Sequence, residues 1–155
     1  MRFLLVIISF LFFACSSSQE TVAEKTVTYN SVYASQDSGF ETPQTKTITN
    51  QNEFKEIWTQ AMSRFHDKPE IPAIDFEKNQ VLLIALGVKN NGGYKLQMDK
   101  VVENKNSIVV NYFENKPGAN CMTTQAIVFP FELIEIPKNS KKVEFVKTVK
   151  IVDCK

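Results

Sequence analysis

The sequence predicts an α+β domain: a mainly antiparallel, twisted sheet, open or curled toward a barrel, with one principal amphipathic helix. Three observations point there. Short segments of period-two alternation recur between turns rich in Gly, Pro and Asn, a single stretch has helical spacing, and one short run is continuously apolar. Several strands joined by short turns around one helix belong to that class of architecture.

The first extended segments are residues 26–34, where Val27, Tyr29 and the pair Val32 and Tyr33 alternate with polar residues, and the Thr-rich residues 44–48, which follow a turn at Gly39 and Pro43. Asn50 then supplies an N-cap, with Glu53 three residues on to complete a capping-box-like pair. Phe54, Ile57, Trp58, Ala61 and Met62 fall on one helical face, and their size marks them as core. Residues 64–72 form a loop with two prolines. It carries the only histidine, His66, which has no second histidine to chelate or relay with and is assigned no role.

Residues 81–86 are apolar throughout and end at Gly87, as a central strand buried on both faces would be. The Asn91-Gly92-Gly93 step that follows is expected to adopt positive φ in a tight hairpin turn. Residues 94–102 and 108–113 then read as an antiparallel meander. Residues 116–120, with Pro117 and Gly118, break the pattern, and residues 124–136 are extended in composition but interrupted by Pro130, the mark of an edge, bend or bulge. A last strand is expected over residues 143–152, ending near Cys154.

The amino terminus divides the chain into residues 1–14, a tether over residues 15–25 and a single domain over residues 26–155. Met1 and Arg2 precede an apolar run of about eleven residues broken only by Ser9, and Ala14 stands before Cys15. As a helix the run would reach only roughly 17 Å, too short for roughly 30 Å of hydrocarbon. Residues 1–14 resemble a bacterial lipoprotein signal peptide. The resemblance implies lipid of the palmitate type on Cys15, with an ordinary cleaved signal as the alternative. Several acyl chains, at about 0.8 kcal/mol per buried methylene, would hold the polar tether 16–20 and all that follows at the cell envelope. Loss of Arg2 with the signal leaves 17 basic against 17 acidic side chains, from 18 and 17 in the whole chain. A neutral domain with interspersed signs excludes a dedicated nucleic-acid binder, which needs a concentrated basic stripe.

Cys121 and Cys154 are the other two cysteines. In an exported chain they are expected to join, closing a loop of about 34 residues. Metal ligation is the weaker account, since no CxxC spacing accompanies them.

The sequence contains no G-x-S-x-G, no P-loop, no H-E-x-x-H and no dinucleotide fingerprint, and Asp75 and Glu77 would point to opposite faces of an extended chain. No enzyme activity, cofactor or metal is expected, and binding is the favoured role.

The ordered set of Glu53-Phe54, Trp58, Ile74-Asp75-Phe76, the apolar strand, Gly87, Gly92-Gly93-Tyr94, Pro117-Gly118, Pro130-Phe131 and Ile136-Pro137 resembles the PrcB-like protease-complex subunit family, over residues 49–146. That resemblance implies a noncatalytic partner of an exported protease. It makes Asn91, Gly92, Gly93, Tyr94, Pro117 and Gly118 a candidate contact surface, because loops on a rigid sheet carry recognition and an exposed tyrosine offers rigid area. The alternative is that the glycines only satisfy turn dihedrals and Tyr94 packs as the first residue of a strand. A second functional class is an envelope carrier of a small apolar ligand, held between the sheet and the Phe54, Trp58, Met62 face of the helix.

Overall fold

The computed structural model describes residues 24–154. The signal segment, Cys15 and nearly all of the tether lie outside the described residues. The elements are β1 (Lys25–Val27), β2 (Asn30–Ser35), β3 (Gln44–Ile48), α1 (Gln51–Ala61) with a 3-10 turn at Met62–Arg64, β4 (Asn79–Ala85), β5 (Lys95–Glu103), β6 (Ser107–Pro117), β7 (Phe131–Pro137) and β8 (Lys142–Val152). They make two open four-stranded sheets, in the orders β1-β5-β6-β8 and β2-β7-β4-β3. The α+β expectation holds; the sheet does not curl into a barrel but divides in two.

The sheet containing β4 is the middle layer. On one side Val81, Leu83, Ala85, Phe131 and Leu133 pack against Phe54, Ile57, Trp58, Ala61 and Met62 of the helical segment. On the other, Leu82, Ile84, Leu86, Ile134 and Ile136 meet Val101, Ile108, Val110 and Tyr112 of the outer sheet. A strand covered on both faces has no polar side to alternate with, which is why β4 reads as one apolar run. Each large side chain so buried contributes on the order of 1.5–3 kcal/mol.

The helix forms where its caps and apolar spacing place it. Asn50 Oδ1 accepts the Glu53 N–H at 3.0 Å, and Glu53 reaches back to the Thr49 N–H at 3.4 Å. The Trp58 ring meets Tyr33 of β2 edge-on at 5.3 Å and stands 6.0 Å from Phe54, fixing the helix across the middle sheet.

Four points correct or refine the expectations. Residues 26–34 are not one strand: Val27 pairs with Val101 in the outer sheet, whereas Asn30 pairs with Glu135 in the middle one. The chain turns a corner between layers, and a bulge at Val32 lets both Val32 and Tyr33 reach the helix side. Second, β4 and β5 do not form a hairpin, because they lie in different sheets. The Asn91-Gly92-Gly93 segment is a crossover between layers. Third, the pairing is mainly antiparallel, as expected, with one parallel pair. The chain leaves β6, returns along β7 in the middle sheet, and re-enters the outer sheet as β8, parallel to β6. A crossover through another layer is what parallel neighbours require. Fourth, the extended stretch expected over residues 124–136 is a strand only from Phe131, since Pro130 interrupts it; before that, Val128 makes a single bridge to Lys89.

Candidate functional site

Two crossovers meet at one end of the molecule, and both candidate turns lie there. The segment linking β4 to β5 carries Asn91, Gly92, Gly93 and Tyr94; the segment linking β6 to β7 begins at Gly118, directly after Pro117 at the end of β6. The bridge of Lys89 to Val128 and a hydrogen bond from the Gly92 N–H to the Thr124 carbonyl at 3.1 Å hold the two together.

The glycines have a role that the sequence does not reveal. Gly87 alone among the described residues has positive φ, at 69°, where the chain leaves β4 against Pro43. Gly92 and Gly93 are there for closeness instead. A Cβ on Gly93 would stand 2.6 Å from Thr123 Cγ2 and 2.8 Å from Pro117 Cγ, and one on Gly92 would overlap the Thr124 hydroxyl. The turn itself is closed by Asn91, whose Oδ1 accepts the Gly93 N–H at 2.9 Å.

Cys121 and Cys154 are joined, with Cα atoms 5.0 Å apart and a sequence separation of 33. The bond ties the 118–130 crossover to the end of β8, where the Gly118 N–H also donates to the Val152 carbonyl at 2.9 Å. Gly92, Gly93, Pro117, Met122, Val152 and the disulfide line an open hollow of about 510 Å³. Tyr94 faces a different one of about 460 Å³, with Val88, Lys89, Asn90 and Ile127. Gly118 is buried behind Asp153 and lines neither. The structure therefore gathers Gly92, Gly93 and Pro117 on one surface and sets Asn91 and Tyr94 beside it.

Three apolar side chains that the sequence reading passes over surround these hollows: Met122 is fully exposed at 100%, Ile127 is 62% exposed and Val88 52%. Apolar surface gathered in this way is a feature of interaction sites. The signal was an apolar residue in each of two segments otherwise rich in Thr, Gln, Asn and Gly.

Beneath them lies a charged anchor, also missed. Glu114 is nearly buried on the inner face of β6, and its carboxylate accepts from Lys89 Nζ at 2.6 Å and Lys147 Nζ at 2.9 Å. Burial pushes its pKa up, but the two ammonium groups outweigh that and hold the carboxyl below its ordinary value. Glu114 in turn raises Lys147. Lys89 belongs to the β4–β5 crossover and Lys147 to β8, so one carboxylate pins both to the sheet. In the sequence it shows as a glutamate continuing the inward series Ile108, Val110, Tyr112.

Between the helix and the middle sheet the layer is packed with side chains. Phe54 and Met62 are enclosed and Trp58 nearly so, filling the layer against the middle sheet. The hollow that touches Trp58 and Met62, about 420 Å³, opens instead toward Lys55, Lys68, Pro69 and Ile71. His66 is exposed beside Asp67 at 3.2 Å.

Residues 80–137 match the family described as PrcB C-terminal. The match makes that stretch of the chain similar to the PrcB-like family. It runs from β4 to β7 and so contains both crossovers, Glu114 and every candidate contact residue, while α1 and β8 lie outside it. This is a shorter stretch than residues 49–146. No curated protein and no solved structure matches the chain.

Proposed function

We propose that this PrcB-like protein is a noncatalytic, lipid-anchored module of the cell envelope that binds another envelope protein, an exported protease or a subunit of its complex. The contact surface is the end of the domain where the two crossovers meet. The observation that carries this reading is the convergence of Gly92, Gly93 and Pro117 with the exposed Met122, beside Tyr94 and Ile127, inside the family match. The disulfide and the Glu114 ion pairs pre-order these loops, which lowers the entropy that binding must remove. Acylated Cys15 would keep the domain near its partner, so a modest contact would suffice at the raised local concentration.

A photo-crosslinking residue at position 122, introduced into the full chain in its native envelope, tests this. A recurrent adduct with one protease or protease-complex protein is expected, and it should be absent when the residue is placed at exposed Glu56 on α1. Equal yields at both positions, or no recurrent adduct at either, would overturn the proposal. Separately, globomycin-sensitive processing before Cys15 is expected if the anchor is of the lipoprotein kind.

A further inference from the structure

The outer sheet ends on β8, an eleven-residue strand bonded on one side to β6 and on the other to no strand among the described residues. The other sheet-edge strands are shorter: three residues in β1, six in the bulged β2 and five in β3. Long, regular edges with exposed apolar residues pair readily with another strand. On β8, Val146 is 44% exposed, Val149 54% and Ile151 70%.

Its hydrogen-bonding groups have a fixed direction. Val152 offers its carbonyl toward β6, to the Gly118 N–H. Peptide groups alternate sides along a strand, so Val143, Phe145, Lys147, Val149 and Ile151 direct theirs to the open edge. An antiparallel pairing of this edge with itself must therefore set odd-numbered residues opposite odd ones, and even opposite even. Among such registers, the one centred on Lys147 places Glu144 opposite Lys150, and symmetry repeats the pair. It also places Phe145 opposite Val149 and Val143 opposite Ile151. Shifting the centre to Val146 sets Lys142 against Lys150, and shifting it to Thr148 leaves Glu144 facing Val152 and Lys150 facing Val146. Glu144 and Lys150 fall at non-hydrogen-bonded positions, where cross-strand side chains stand closest. Lys150 lies over the Phe113 ring, 3.1 Å from its centroid. Lys147, at the axis, turns its ammonium to its own chain's Glu114 at 2.9 Å, a carboxylate it shares with Lys89.

We propose that a second copy of this chain occupies the open edge, β8 pairing antiparallel with β8 about a two-fold axis at Lys147 to make one continuous eight-stranded sheet. The contact is isologous, so it closes at two copies and does not grow into fibres. It is independent of the partner surface in the preceding proposal, and the measurement below involves no protease.

Sedimentation of the purified protein should show a monomer–dimer equilibrium. Glu144→Lys alone and Lys150→Glu alone should each weaken the dimer about tenfold, because each turns two attractive pairs into two repulsive ones. The two substitutions together should restore it, since the charges are merely exchanged. Val149→Pro, which removes an N–H directed at the open edge and none directed at β6, should give a monomer with unchanged circular dichroism. Glu144→Cys with Lys150→Cys should yield a covalent dimer on mild oxidation. A protein monomeric at every accessible concentration, or a dimer indifferent to the single charge reversals, would overturn the proposal. So would a double reversal no better than either single change. Should Val149→Pro fail to fold, the charge exchange alone decides.

Discussion

The middle sheet and the end where the crossovers meet are built on opposite principles. β4 and the apolar residues of β7 are packed on both faces against aliphatic and aromatic side chains. The crossover end has almost no apolar interior. It is held by a disulfide, a carboxylate between two ammonium groups, an Asn-closed turn and two glycines in close contact with neighbouring threonines. Its Val88, Met122 and Ile127 point to solvent instead. With the proposed contact surface at the crossover end, stability and recognition fall in separate parts of this molecule, so substitutions should separate them.

The largest effect on folding belongs to the helix layer. Phe54→Ala removes a fully buried ring between Trp58 and Phe76 and should cost about 3–5 kcal/mol in urea unfolding. If it costs under 1 kcal/mol, the contrast with the crossover end fails. Next is the pair Cys121→Ser with Cys154→Ser, which should lower stability by up to about 4 kcal/mol on the chain-entropy argument. Hydrogen exchange after this change should quicken first in residues 118–130, with β4 still protected.

Glu114→Gln should cost about 1–3 kcal/mol at neutral pH, because it leaves Lys89 and Lys147 without a counter-charge in a nearly enclosed place. It also carries a pH signature. The folded-state pKa of Glu114 lies below its unfolded value, so its stabilising contribution is complete above the ordinary carboxylate range and is lost as pH falls through the lowered value. Comparing unfolding midpoints of the two proteins across that acid range should show the gap closing as pH drops. A gap that stays constant would remove Glu114 as the anchor. Smallest for stability is Met122→Ala, expected within about 0.5 kcal/mol of the parent because the side chain is fully exposed. Its effect on crosslinked partner yield should nonetheless be large, and an unchanged yield would detach Met122 from the contact surface.

Legibility in the sequence follows the same division. Where packing repeats along the chain, the pattern was visible: the helix through its cap at Asn50 and its face from Phe54 to Met62, β4 through its unbroken apolar run, β5 and β6 through alternation. Gly92 and Gly93 were found as notable residues but for the wrong reason, since a turn needing positive φ and a close approach both select glycine. Met122, Ile127 and Glu114 were missed because their significance lies in neighbours distant along the chain.

By itself the sequence determined the helix, the buried strand β4 and the alternating faces of β5 and β6, because periodicity is local and follows from how a segment meets water, and the pairing of Cys121 with Cys154 followed from their being the two cysteines besides Cys15. Only the tertiary structure decided that Val27 and Asn30 serve different sheets, that β8 runs parallel to β6, and that the two crossovers meet. Those outcomes depend on layer stacking. Whether a strand joins the near sheet or the far one changes its partners and leaves its own alternation untouched.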